Sequence, residues 1–126
     1  MRTALLLALL VLGLLPVIAP AEDSTAVPGE RSPGDMSVEE RAQMMQATNV
    51  YNNCVYKQAT DKVNSDPDIR RIADGALGAC EPQLDALQKL IRDWKFPEYF
   101  AAGFARTVRE RAARNILPEL ASKKGG

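Results

Sequence analysis

Two cysteines, Cys54 and Cys80, are the only ones in the 126 residues. Their types allow either redox chemistry or a structural bridge, and their spacing chooses between the two. Catalytic dithiols usually sit close together, as in Cys-X-X-Cys, in accessible and electropositive surroundings. Here the two cysteines stand on either side of a turn at Asn64-Ser65-Asp66-Pro67. At 1.5 Å rise per residue, helices leading into and out of that turn place both sulfurs roughly 15 to 20 Å from its tip. The spacing therefore predicts a disulfide that staples a helical hairpin. Closing a loop of about 27 residues stabilises a fold by roughly 3 kcal/mol in the chain-entropy account.

Other reactive groups are few. There is no histidine, which removes the commonest general base and the commonest metal ligand together. Asp61, Asp66 and Asp68 cluster near the turn, but without the ordered spacing of a calcium loop, and helix capping accounts for two of them. The chain has neither a glycine-rich phosphate cradle nor a serine in a nucleophile elbow. The expectation is a non-catalytic protein with no cofactor and no metal. Asn49, Asn52 and Asn53, with Tyr51 and Tyr56, form a polar and aromatic cluster. It reads first as surface amides, and second as a ligand-contacting patch.

Charge supplies one asymmetry. Residues 22–96 hold nine basic and 13 acidic side chains, whereas residues 97–126 hold six basic and three. Arg106, Arg109, Arg111, Arg114, Lys123 and Lys124 thus make the last helix a candidate surface for an anionic membrane or envelope polymer. The alternative is that it complements the acidic hairpin of its own chain or of a second copy. Overall balance, 16 Lys and Arg against 16 Asp and Glu, lacks the basic excess of a nucleic-acid binder.

Three helices are predicted to position these groups. Ser37 and Glu40 form a capping box that opens the first, over 38–64. Val38, Ala42, Met45, Tyr56, Ala59 and Val63 fall on one apolar stripe of it, and Ala47, Val50, Tyr51 and Cys54 on another. Two stripes imply two neighbours and a central place in the bundle. The second helix, over 67–94, takes Asp66 as N-cap and Pro67 as its first residue. Its stripe runs Ile69, Ile72, Ala73, Ala76, Leu77, Cys80, Leu84, Leu87, Leu90, Ile91 and Trp94. The stripe keeps phase across Pro82, so the reading is one continuous helix kinked there. The third opens at Pro97 and runs over 97–117 or beyond, with Phe100, Ala101, Phe104, Ala105, Val108 and Ala112 facing inward. Period-two alternation is absent, which argues against strands.

The flanks complete the reading. A charged start at Arg2, an apolar run, and small residues Ala19 and Ala21 at −3 and −1 make a secretory signal over 1–21, cleaved after Ala21. Gly13, Pro16 and Pro20 disfavour the rival, a retained spanning helix. Residues 22–36, with two Pro-Gly pairs, read as a disordered linker, and 123–126 as a frayed tail. The whole is an all-α chain: a small three-helix bundle over 37–122, built on a disulfide-stapled hairpin. It is exported to the periplasm or the extracellular space, with a bacterial lean. The function expected is that of an interaction or structural module with a protein partner, or a homodimer. The alternative is a peripheral envelope binder.

Overall fold

The structure, a computed structural model, describes residues 27–125. Four α-helices follow a short 3-10 turn at Pro33–Asp35. They are α1 (Val38–Asp61), α2 (Ile69–Ala79), α3 (Glu81–Asp93) and α4 (Glu98–Gly125).

The start of α1 is the expected capping box. Ser37 Oγ accepts from the Glu40 N–H at 3.1 Å, and Glu40 Oε2 accepts from the Ser37 N–H at 2.9 Å. The start of α2 is displaced. Asp66 Oδ1 accepts from the Asp68 N–H at 2.7 Å, folding the chain into an Asx turn around Pro67. Asp68 then caps α2 through the Arg70 N–H at 2.9 Å, so the N-cap is Asp68 and not Asp66.

The continuous kinked helix is corrected to two helices. Cys80, at φ −100° and ψ 6°, leaves helical geometry and separates α2 from α3. Pro82 has no N–H to offer the preceding turn, and it sits comfortably in the first turn of a new helix. The Cys80 carbonyl restarts the ladder by accepting from Gln83 and Leu84 at 3.1 and 3.4 Å. Because the break spans one residue, the apolar stripe stays in phase. Ile72, Ala73, Ala76, Leu77, Cys80, Leu84, Leu87 and Ile91 are all buried. The expected three-helix bundle is thus four helices in three passes.

Those passes run α1 up, α2 and α3 down, and α4 up. The turn before α2 meets the end of α4, where Lys124 Nζ donates to the Asp66 carbonyl. α1 and α4 each pack on the other three helices, and α2 touches α3 much less than either touches α1 or α4. α1 and α4 pack more on the descending pass than on each other, so that pass, and not the first helix, holds the central place. The buried stripe of α1 is also different: Met44, Thr48, Tyr51, Val55 and Ala59. Val38, Met45, Val50 and Tyr56, all placed on inward stripes by the sequence, are exposed. Apolar residues stand side by side at Met44-Met45 and Val55-Tyr56, so periodicity alone does not choose the face.

At the other end, α3 closes with a Schellman turn. The Lys95 N–H donates to the Arg92 carbonyl at 2.9 Å and the Phe96 N–H to the Ile91 carbonyl at 3.4 Å. Lys95 takes the left-handed position, φ 68°, that glycine usually fills. α4 continues through Pro118 to Gly125. Lys123 and Lys124 are therefore helical, which corrects the frayed tail.

Residues 27–36 also depart from expectation. They are held to the bundle by Arg31, whose N–H donates to the Lys95 carbonyl at 2.8 Å. Its guanidinium bonds both Glu40 oxygens at 2.6 and 3.0 Å and lies 4.5 Å over the Phe96 ring. Met36 is buried beside them. One arginine and one methionine anchor a segment whose composition alone reads as linker. The signal segment 1–21, with Ala19 and Ala21, and linker residues 22–26 lie outside the described residues.

Candidate functional site

The Cys54–Cys80 disulfide is present, with the Cα atoms 5.9 Å apart. It ties the middle of α1 to the break between α2 and α3. Cys80 is fully buried and Cys54 half-buried. The bridge thus pins the one residue of the descending pass that is not helical.

The six basic residues of the last helix do not form one patch. Arg109 Nε lies 3.8 Å from a Glu81 carboxylate oxygen, and Lys123 lies 3.6 Å from Glu119. Lys124 is folded over the α1–α2 turn. That leaves Arg106, Arg111 and Arg114, exposed and with no acidic partner within ion-pair distance among the described residues. Glu110 stands between them on the same outer side of α4, diluting its charge.

The asparagine and tyrosine cluster divides. Tyr51 turns into the core, fully buried, and its hydroxyl has no hydrogen-bond partner among the described residues. Burial pushes that phenol above its ordinary pKa, against the pull of Arg109. Asn49, Asn52, Asn53 and Tyr56 stay at the surface. Asn52, Asn53 and Tyr56 line one wall of a groove of about 280 Å³ between α1 and α4, and Asn115 and Glu119 line the other. Tyr56 Oη donates to Glu119 Oε1 at 3.2 Å across its mouth.

This groove borders a larger feature that the sequence reading missed. From Ala42 to Tyr56 the chain contains no charged residue, although charged residues make up a quarter of the protein. The exposed part of that stretch presents Met45, Val50 and Tyr56 among Gln43, Gln46, Asn49 and Asn53. The signal is a gap in charge, masked because Met45, Val50 and Tyr56 also fit an inward stripe by period. Depletion of charge with enrichment in Met and Tyr is the compositional mark of an interface core.

Carboxylates elsewhere are committed to structure. Arg31 and the Ser37 N–H hold Glu40 down to about 2, and Arg71 with the Asp68 N–H does the same for Asp66. Asp61 pairs with Lys57 at 2.6 Å. Among the described residues no group of three or more His, Cys, Asp or Glu is placed to hold a metal ion. Among them, too, no helix is long and apolar enough to cross a membrane. Compared with known proteins, the chain matches no family model, and no curated protein or solved structure matches it significantly.

Proposed function

We propose that this protein is an exported, non-catalytic interaction module that presents the outer face of α1, with the adjoining α1–α4 groove, to a protein partner. The observation that carries the reading is the exposed side of the charge-free run of α1 between Ala42 and Tyr56. Ordinary solvated helix faces carry Lys, Glu and Arg. A face built from Met, Val, Tyr, Asn and Gln gives up the hydration that charges provide and offers apolar area with satisfiable amides. The disulfide fits the same picture, because it is compatible with an oxidising compartment and stiffens α1 behind that face. A rigid platform loses less entropy on binding than a flexible one.

The alternative, an envelope or membrane-surface binder, rests on Arg106, Arg111 and Arg114. The two readings separate in a detergent-free extract of source cells analysed by native sizing. Met45 is 47% exposed in the chain by itself, and the expected result is a complex with the wild-type chain and free protein with Met45→Glu. A complex that survives Met45→Glu but is lost when Arg106, Arg111 and Arg114 are all changed to alanine overturns the proposal in favour of the basic surface.

A further inference from the structure

The outer face of α1 has an internal order that names its partner. Val38, Ala42, Met45, Asn49, Asn52 and Tyr56 follow one another at alternating spacings of four and three residues. That is the a/d spacing of a coiled-coil seam. The six lie on one side of α1, where Asn52 is half-buried at the groove and the other five are exposed. The bundle's own core uses a different row of the same helix, from Met44 through Thr48, Tyr51 and Val55 to Ala59. α1 therefore carries two registered seams and fills one of them.

We propose that the second seam is filled by another copy of this chain, with the two α1 helices antiparallel. Val38 of each copy then lies opposite Tyr56 of the other, Ala42 opposite Asn52, and Met45 opposite Asn49. The inference rests on the reading of α1 as an interaction face and goes beyond it by naming the occupant.

Three features favour a second copy. First, a twofold interface sets a patch against itself, so charges near its axis repel their own images. This seam has none. Second, an amide carries both donor and acceptor groups and needs no oppositely charged partner, and this register sets Asn49 and Asn52 opposite Met45 and Ala42 rather than opposite a charge. A dissimilar partner is ordinarily selected by opposite charge, and the seam carries none.

Third, the rims are complementary in the antiparallel sense. Glu39 and Lys57 lie on the same flank of α1, about five turns apart. Reversing one helix brings Glu39 of each copy within a turn of Lys57 of the other, a lysine that also holds Asp61 of its own helix. On the α4 flank, Arg41 is exposed and has no acidic partner within ion-pair distance among the described residues. The same reversal sets it level with Asn115 and Glu119 of the second copy. A parallel pair instead aligns the two helix dipoles.

The test is sedimentation equilibrium on the purified, disulfide-intact mature chain, from about 1 µM to about 1 mM, a span that covers weak dimers. Wild type is expected to dimerise. Met45→Glu and Asn49→Lys are each expected to weaken the dimer at least ~10-fold by placing an unpaired charge in the seam. Mixed in equal amounts, the two variants are expected to recover a heterodimer, because Glu at 45 then faces Lys at 49. Circular dichroism checks that both variants stay folded.

A wild-type chain that is monomeric throughout overturns the second-copy proposal. If Met45→Glu still abolishes the complex in extract, the interaction-face reading stands without it. A dimer indifferent to both substitutions places self-association elsewhere and overturns the proposal. Loss in both variants without recovery on mixing refutes the antiparallel register.

Discussion

Reducing the Cys54–Cys80 bridge is the perturbation whose size the structure lets one work out. The bridge closes a loop of 27 residues, counting both cysteines at a separation of 26. For a loop of that length the chain-entropy relation puts the unfolded-state restriction at about 3.5 kcal/mol at 25 °C. In a domain of this size each kcal/mol moves the melting temperature by about 4 to 8 °C, so reduction should lower it by roughly 14 to 28 °C. Thermal melts followed by circular dichroism, with and without reductant, read this directly. The double variant Cys54→Ala, Cys80→Ala separates bridge from packing. Because Cys80 is fully buried, truncation adds a cavity term of about 1 kcal/mol or more, and the variant should melt below the reduced wild type. A shift under about 3 °C on reduction would refute the reasoning. It would mean that packing of Ile72 through Ile91 holds the broken pass in register without the bridge.

Three further outcomes follow from particular groups. Tyr51→Phe removes a fully buried hydroxyl with no partner among the described residues, so urea unfolding should show unchanged stability or a gain of up to about 1 kcal/mol. A loss above that would show that the hydroxyl is bonded after all. Lys95→Gly relieves a left-handed backbone at φ 68°. Net of the added freedom of the unfolded chain, it should stabilise by about 0.5 to 1 kcal/mol, whereas a destabilised variant would argue against the Schellman geometry. Glu40 and Asp66 are held down to about 2 in the folded chain. Their contribution is therefore complete above the ordinary carboxylate range and is lost as pH falls from about 5 toward 2. Glu40→Gln should lower the melting temperature near neutral pH and flatten this acid slope. An unchanged slope would remove the Arg31 clasp from the acid transition.

The features legible in the sequence were those with one dominant local signal. Ser37 and Glu40 announce a helix start because two residue types at fixed spacing satisfy two backbone groups. Cys54 and Cys80 announce their bridge because the turn between them sets both at one level. The stripe from Ile72 to Ile91 is buried as its period requires.

Where two physical solutions competed, the sequence could be read either way. Pro82 is compatible with a kink or a restart, and the one-residue break at Cys80 preserves the phase that suggested continuity. On α1, adjacent apolar residues define overlapping rows, and only packing against α2, α3 and α4 selects Met44 and Val55 over Met45 and Tyr56. Composition marks residues 27–36 as linker, since a single arginine finding Glu40, Phe96 and the Lys95 carbonyl is a tertiary event with no local trace. The candidate surface is hard to read for a related reason: its apolar members, Met45, Val50 and Tyr56, fit a core stripe by period as well as a surface.

The central claim is that the charge-free side of α1 is covered by another protein surface in the working state. A photo-crosslinking scan tests it most directly, with a reactive side chain placed singly along α1 and along the outer side of α4 in intact source cells. Adducts recurring at 38, 42, 45, 49 and 56, and absent at Arg106, Arg111 and Arg114, are the predicted result. Adducts confined to those arginines, or spread along α1 without helical period, would contradict it.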